Sequence, residues 1–254
     1  MPQTAYNFQD FVQIVEKLRG PEGCPWDKKQ THQTLIRWAI EESHELAEAI
    51  EENNSNEIKS ELGDLLLQVV LHSEIARQDN NFNIKDVIQT ISEKMVRRHP
   101  HVFDDLDANL EEVHENWENI KAKENKKKRP GFNISKTLSP LLVSQKIGEK
   151  TKAQKFDWSN TEEVQEKVLE EISEFKEAQA EKNKNHMEEE FGDILFSLVQ
   201  LGRHMNIEAE QALRKANSKF EKRYLAMKEL IEQEGEDFLS LNQLEKDEYW
   251  KRIK

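Results

Sequence analysis

Glu41-Glu42-Ser43-His44-Glu45 and Glu61-Leu62-Gly63-Asp64 are two acidic stretches that the chain writes a second time, as Glu170-Glu171-Ile172-Ser173-Glu174 and Glu190-Phe191-Gly192-Asp193. From Glu42 to Glu45, Glu45 to Glu61 and Glu61 to Asp64 the spacings are 3, 16 and 3, and Glu171, Glu174, Glu190 and Asp193 reproduce them. Residues three apart are neighbours on one face of a helix, so each Glu-x-x-Glu or Glu-x-x-Asp sets two carboxylates side by side. Two such helices packed antiparallel bring four together. The duplication predicts an all-α protein made of two tandem helical-bundle modules related by an internal repeat.

The rest of the composition agrees with that reading. Of 254 residues, 36% are hydrophobic and 34% charged, with only 8 glycines and 6 prolines. The apolar residues recur at helical spacing, so the chain reads as a soluble, charge-rich helical protein and not as a disordered one. A formal charge of −13 argues against a nucleic-acid polymer as partner, for which a basic stripe is expected. The one basic run, Lys126-Lys127-Lys128-Arg129 before Pro130-Gly131, reads as a solvated linker. Cys24 is the sole cysteine and permits no internal disulfide. With no apolar stretch suited to a signal peptide or a membrane helix, the expected location is the cytoplasm.

Along the chain, Phe8, Phe11, Val12, Val15 and Leu18 define a first helix that should stop before Gly20-Pro21, followed by an irregular loop over 22–27. The first acidic helix is expected over about 31–52, and a strongly apolar one, with Leu62, Leu65, Leu66, Leu67, Val69, Val70 and Leu71, over about 57–77. Being apolar nearly all round, the latter should be buried between other helices. Asn83 can cap the next helix, and a short one carrying Trp117 is expected near 109–124. Residues 125–136 lack apolar periodicity, so the modules are placed at 1–124 and 137–254 with a basic linker at 125–136. In the second module Pro140 suits a first helical turn, Thr161 opens the second acidic helix, 187–204 matches the apolar helix of the first half, and Gly235 stops a long helix begun near Ile207. Gly63 and Gly192 cost about 1 kcal/mol each against alanine within a helix, which suggests close helix approach there.

The repeat extends past the acids. Lys94 and Arg98 are four apart, as are Lys219 and Arg223; Trp117 and Lys121 are matched by Trp250 and Lys254, and Trp26 and Trp158 stand in comparable loops. Clustered carboxylates repel one another and take up protons unless a cation compensates. All-oxygen donors point to Mg²⁺, with Mn²⁺ as a substitute, rather than to zinc, and Mg²⁺ commonly bridges carboxylates and substrate phosphates. A Lys/Arg face supplies positive charge for a polyphosphate, and a tryptophan can stack on any base.

These residues together resemble the MazG family of nucleoside triphosphate pyrophosphohydrolases, within the all-α NTP pyrophosphatase superfamily. The marks are Gly23-Cys24-Pro25-Trp26-Asp27, the two acidic pairs, Arg97-Arg98-His99-Pro100-His101-Val102-Phe103, and Lys215-Ala216-Asn217 through Lys219-Phe220-Glu221-Lys222-Arg223, in an order that spans essentially the whole chain. The resemblance implies helical modules that dimerise and Mg²⁺-dependent hydrolysis of NTPs or dNTPs to nucleoside monophosphate and pyrophosphate. It implies Glu171, Glu174, Glu190 and Asp193 as metal ligands, and Lys219, Arg223, Trp250 and Lys254 as nucleotide-binding residues. Glu170, if not fully used as a ligand, could orient water, which makes Glu170, Glu171 and Glu174 the catalytic set. The second module is expected to dominate catalysis. Glu42, Glu45, Glu61 and Asp64 form the second candidate metal site, and Lys94, Arg98, Trp117 and Lys121 the second candidate nucleotide site. A homodimer is expected, because apolar helices such as Leu62–Leu71 and Phe191–Leu201 exceed what one small module can cover.

Two other classes are open to the same residues. Glu41-x-x-His44 and Glu111-x-x-His114 are each Glu-x-x-His, the motif of a di-iron carboxylate bundle, although Ser173 stands where His44 would recur. A non-enzymatic regulatory or interaction protein would leave the four acids without a purpose. Cys24 is expected to pack structurally, His99 and His101 to serve a polar loop, and His72 and His204 to be satisfied core or surface residues.

Overall fold

The computed structural model describes residues 5–103 and 131–253, which divide between two compact units, Met1–Lys127 and Lys128–Lys254. Every regular element among the described residues is a helix. In the first unit these are α1 (Phe8–Arg19), α2 (Pro25–Lys29), α3 (Ile36–Glu51), α4 (Ser55–Gln78), α5 (Ile84–Arg98) and α6 (Pro100–Phe103). The second holds α7 (Pro140–Lys152), α8 (Thr161–Glu181), α9 (Lys184–His204), α10 (Ala209–Gln233) and α11 (Gln243–Arg252). The short helix expected near 109–124 lies outside the described residues.

Asparagines start most of these helices. Asn7, Asn83 and Asn242 each form a reciprocal capping box with an acid three residues on, so two backbone N–H groups that the helix leaves without partners are satisfied at once. Pro140 takes the first turn of α7 behind the Ser139 cap, as its fixed φ and missing N–H allow. Two expectations are corrected. The stretch 22–27 is not wholly irregular, because Pro25 initiates α2 and the Arg19 guanidinium donates to the carbonyls of Asp27 and Gln30, closing its far end. And α3 starts at Ile36, not near Thr31, because the Thr31 and Thr34 side chains bond to nearby backbone and compete with the first helical turn.

In each unit one helix hairpin dominates. α3 and α4 pack along their length across the turn 52–54, as α8 and α9 do across 182–183. Asn53 and Lys182, 129 positions apart, both adopt a left-handed backbone at φ 55° and 54°, so the two hairpins turn in the same way. Burial follows the same offset: Leu35 and Val164, Ala49 and Ala178, Gln68 and Ser197, and Val70 and Val199 are buried in pairs. α1 completes the first core, where Val12, Val15, Leu35, Val70, Leu71 and Ile75 meet, with Phe11, Trp38, Leu67 and Ile84 packed around them. In the second unit α7 crosses α9 at Gly148, where a Cβ would lie 1.9 Å from Gln200 Oε1, so any other residue would have to displace the Gln200 and Arg203 side chains. Gln200 is fully buried there and donates to the Ser144 carbonyl at 2.8 Å.

The apolar helices are not buried all round. Leu62, Leu66 and Val69 on α4 are 40–52% exposed, and Phe191, Leu195 and Leu198, at the equivalent positions of α9, are 44–52% exposed. Each helix buries one stripe in its own hairpin and leaves a second uncovered. Gly63 and Gly192 lie beside that second stripe and have nothing within 4 Å of a Cβ among the described residues, where they mark no close approach.

Leu35, 1% exposed where the chain enters α3, is a direct test of the first core. Leu35→Ala should lower the unfolding free energy by about 2–5 kcal/mol in a urea titration. Leu239→Ala, at a side chain 85% exposed, should change it by no more than about 0.5 kcal/mol. Equal effects would place the core elsewhere.

Candidate metal centre

The hairpins place the acids. Glu171 and Glu174 lie one turn apart on α8, and α9 returns beside them carrying Glu190. One carboxylate oxygen of each lies within 4.8 Å of the other two, and Glu42, Glu45 and Glu61 form the matching trio on α3 and α4. Asp64 and Asp193 stand outside these trios. Asp64 acts electrostatically on Glu42 and Glu61, while Asp193 sits exposed on α9, one turn beyond Glu190. Glu170 is also outside the trio, with its carboxylate 56% exposed.

Repulsion is visible in the titration of these groups. Partial burial raises the Glu42 carboxyl above its usual range, and Asp64, Glu45, Glu61 and Glu41 add to it in that order. Glu61 is raised by partial burial and then by Glu45 and Asp64. Glu174 is raised by partial burial, then by Glu171 and Glu190, with Lys167 opposing. Three carboxylate oxygens crowded this closely suit a hard divalent cation, which relieves their mutual repulsion. The donor set therefore fits Mg²⁺ or Mn²⁺. No histidine enters either trio among the described residues, which removes support for the di-iron alternative; Glu111 and His114 lie outside the described residues.

The structure adds two residues that the sequence reading passed over. Lys167 Nζ lies 2.8 Å from Glu171 Oε1 and 3.0 Å from Glu170 Oε1, and those hydrogen bonds raise its pKa above the ordinary lysine range. His186 Nε2 lies 3.1 Å from Glu190 Oε1, its Nδ1 3.1 Å from Glu181. Lys167 with Glu171 and His186 with Glu190 are four apart on their helices, so the i,i+4 rule could have found both. Beside the hairpin, Arg203 and His204 hydrogen-bond Asp157, at 2.5 and 3.2 Å, and His204 meets Trp158 edge-on. Burial pushes the Asp157 carboxyl up, and these bonds outweigh it and hold the group below its ordinary range.

Of the remaining histidines, His72 stacks on His32 with their Nδ1 atoms 2.7 Å apart, and His99 Nδ1 contacts the Met95 carbonyl oxygen at 2.7 Å. Cys24 is half-buried at the N-cap of α2.

The basic pairs are equivalent by their helix caps. Lys94 and Arg98 on α5 lie 11 and 15 residues beyond the cap Asn83, and Lys219 and Arg223 on α10 lie 11 and 15 beyond the cap Glu208. Trp250, on α11, sets its ring 5.2 Å from Phe220. Trp117, Lys121 and Lys254 lie outside the described residues. Glu234 at the end of α10 also holds α11, accepting hydrogen bonds from the Tyr249 hydroxyl at 2.8 Å and from Arg252.

Tandem acid-bearing helix hairpins, each followed by a Lys/Arg helix, define a class of all-α protein. The family model for the MazG nucleotide pyrophosphohydrolase domain matches residues 30–103 and 159–226, so both hairpins carry it. A Thermotoga maritima protein named nucleoside triphosphate pyrophosphohydrolase/pyrophosphatase MazG is 46% identical over 100% of this chain and 98% of its own. The Escherichia coli K12 protein named nucleoside triphosphate pyrophosphohydrolase is 39% identical over 96% of this chain and 95% of its own. Bacillus subtilis YabN, described as uncharacterized, is 43% identical over 98% of this chain but only 52% of its own length. The chain belongs to the MazG family.

The Glu234 contacts carry their own test. Hydrogen bonds from Arg252 and then Tyr249 hold this carboxyl down to about 2 from 4.5. Because the folded-state pKa is depressed, the docking it contributes is present above pH 4.5 and lost as pH falls toward about 2. At neutral pH, Glu234→Gln should speed amide exchange across Gln243–Arg252 in hydrogen–deuterium exchange, with α8 and α9 unaltered. Unaltered exchange in α11 would mean that other contacts dock it.

Proposed function

We propose that the protein hydrolyses nucleoside triphosphates, ribo and deoxy, to nucleoside monophosphate and pyrophosphate, with Mg²⁺ at the Glu171, Glu174 and Glu190 trio of the second unit. The observation that supports this most is the convergence of those three carboxylates on one point between α8 and α9, within a chain aligned end to end with pyrophosphohydrolases.

Glu171, Glu174 and Glu190 would hold the ion, with Asp193 next along α9. When bound, Mg²⁺ supplies neutralisation of phosphate oxygens and lowers the pKa of a coordinated water. Glu170, hydrogen-bonded to Lys167, would accept the proton that the attacking water gives up. The water oxygen bonds to one phosphorus of the α–β anhydride, the bond from that phosphorus to the bridging oxygen breaks, and nucleoside monophosphate and pyrophosphate separate, the one not attacked keeping that oxygen. Lys219 and Arg223 bind the polyphosphate and Trp250 stacks on the base, with Lys254 four residues further on. The first unit, with Glu42, Glu45, Glu61 and Asp64 and with Lys94, Arg98, Trp117 and Lys121, is a weaker or regulatory copy.

The working unit is a homodimer. Its support is the matched apolar stripes of α4 and α9, which need cover that the chain's own hairpins do not supply.

Glu→Gln keeps shape and removes the charge that a cation needs. Glu171→Gln with Glu174→Gln should lower Mg²⁺-dependent pyrophosphate release on the order of 100-fold or more, and Glu42→Gln with Glu45→Gln should spare most of it. If the Glu42/Glu45 variant is the inactive one, with both folded by circular dichroism, the second unit is not the catalytic one. Light scattering at micromolar concentration should return about twice the 29.9 kDa chain mass; a single-chain mass would refute the dimer.

A further inference from the structure

The repeat is faithful in its acids and broken in what surrounds them. Position 167 of the second unit corresponds to Trp38 of the first, by the offset that aligns Glu171 with Glu42. Lys167 is bonded to Glu170 and Glu171, whereas Trp38 packs against the core, with Trp26 edge-on at 6.5 Å and the Arg37 guanidinium 4.3 Å over its ring. Likewise His186, beside Glu190, corresponds to Glu57, which adds to the repulsion on Glu61. Histidines counted as neutral, these two exchanges leave the second cluster two unit charges less negative than the first.

We propose that Lys167 is a built-in cation that weakens the second site's hold on free divalent ion, so that the first unit binds free Mg²⁺ or Mn²⁺ more tightly and the second loads its ion chiefly together with nucleotide phosphate. This rests on the metal reading above and deepens it. The physical ground is that a lysine ammonium on Glu171 both occupies one ligand oxygen and repels an incoming divalent charge. At a separation of about 6 Å, a unit charge beside a divalent ion changes affinity on the order of tenfold even at water-like dielectric. Nucleotide phosphates bring negative charge that reverses the deficit. In the first unit Trp38 stands where Lys167 would recur, so that position supplies no ammonium, and a free ion is the direct relief of the carboxylates' repulsion. Lys167 is thus a positioning residue that ties metal loading at the second unit to substrate.

The test is a Mn²⁺ titration of the full chain without nucleotide, with free Mn²⁺ read by electron paramagnetic resonance. Wild type should show two classes of site at least tenfold apart. Glu42→Gln with Glu45→Gln should remove the tight class, and Glu171→Gln with Glu174→Gln the weak one. Lys167→Met, with Lys167→Gln as a second neutral variant, should tighten the weak class about tenfold and leave the tight class alone; Lys167→Arg, which keeps the charge, should leave both. Adding a non-hydrolysable nucleoside triphosphate analogue should tighten the weak class in wild type. Classes of equal affinity, loss of the tight class in the Glu171/Glu174 variant, or no tightening in either neutral variant would overturn the proposal while leaving metal-dependent hydrolysis standing. No Mn²⁺ binding, together with pyrophosphate release that survives chelation, would overturn the metal reading itself.

Discussion

Carboxylates that repel one another are held together by a hairpin whose stability comes from elsewhere. Three glutamates within 4.8 Å cost free energy while they are ionised, and α8 and α9 keep them there because Val164, Val168, Ala178 and Val199 are buried along the rest of those helices. The same relation holds between Leu35, Ala49 and Val70 and the trio of Glu42, Glu45 and Glu61. Apolar burial offsets a concentrated charge. A cation bound there would relieve a repulsion already built into the folded chain.

The second unit relieves part of that repulsion without help. Lys167 and His186 contact Glu171 and Glu190, while the first unit offers Trp38 and Glu57 at those positions. Duplicated halves of one family domain have therefore diverged not in the acids but in the residues that touch them. Such changes tune a metal site as much as the ligands do. They give the two units different electrostatic character on the same backbone.

Helices that carry acids on one side and an uncovered apolar stripe on another have two things left to bind. On α9, Glu190 and Phe191 are adjacent, as Glu61 and Leu62 are on α4, so the charged and apolar surfaces border each other. Gly63 and Gly192 sit at that border with open space above them. Whatever covers the stripe will also enclose the edge of the acid cluster, which couples assembly to the dielectric environment of the site.

The sequence by itself determined the all-α class, the duplication and, in each half, three of the four acids expected to meet. Those follow from periodicity and spacing, which are local: residues three apart share a helical face whatever the helix packs against. Asn83 and Pro140 likewise announced their helix starts, because capping is a matter of adjacent residues. Tertiary structure alone decided the rest. That Asp193 stays outside the trio, that Gly148 and not Gly192 is the point of close approach, and that one apolar stripe of α4 and of α9 remains exposed depend on how helices cross. Spacing of 3, 16 and 3 specifies which side a residue takes on its own helix, but not the rotation of one helix against its partner. That rotation is set by the summed packing of Leu35, Val70, Val164 and Val199 with their neighbours, a property of the whole core that no single stretch of the chain contains.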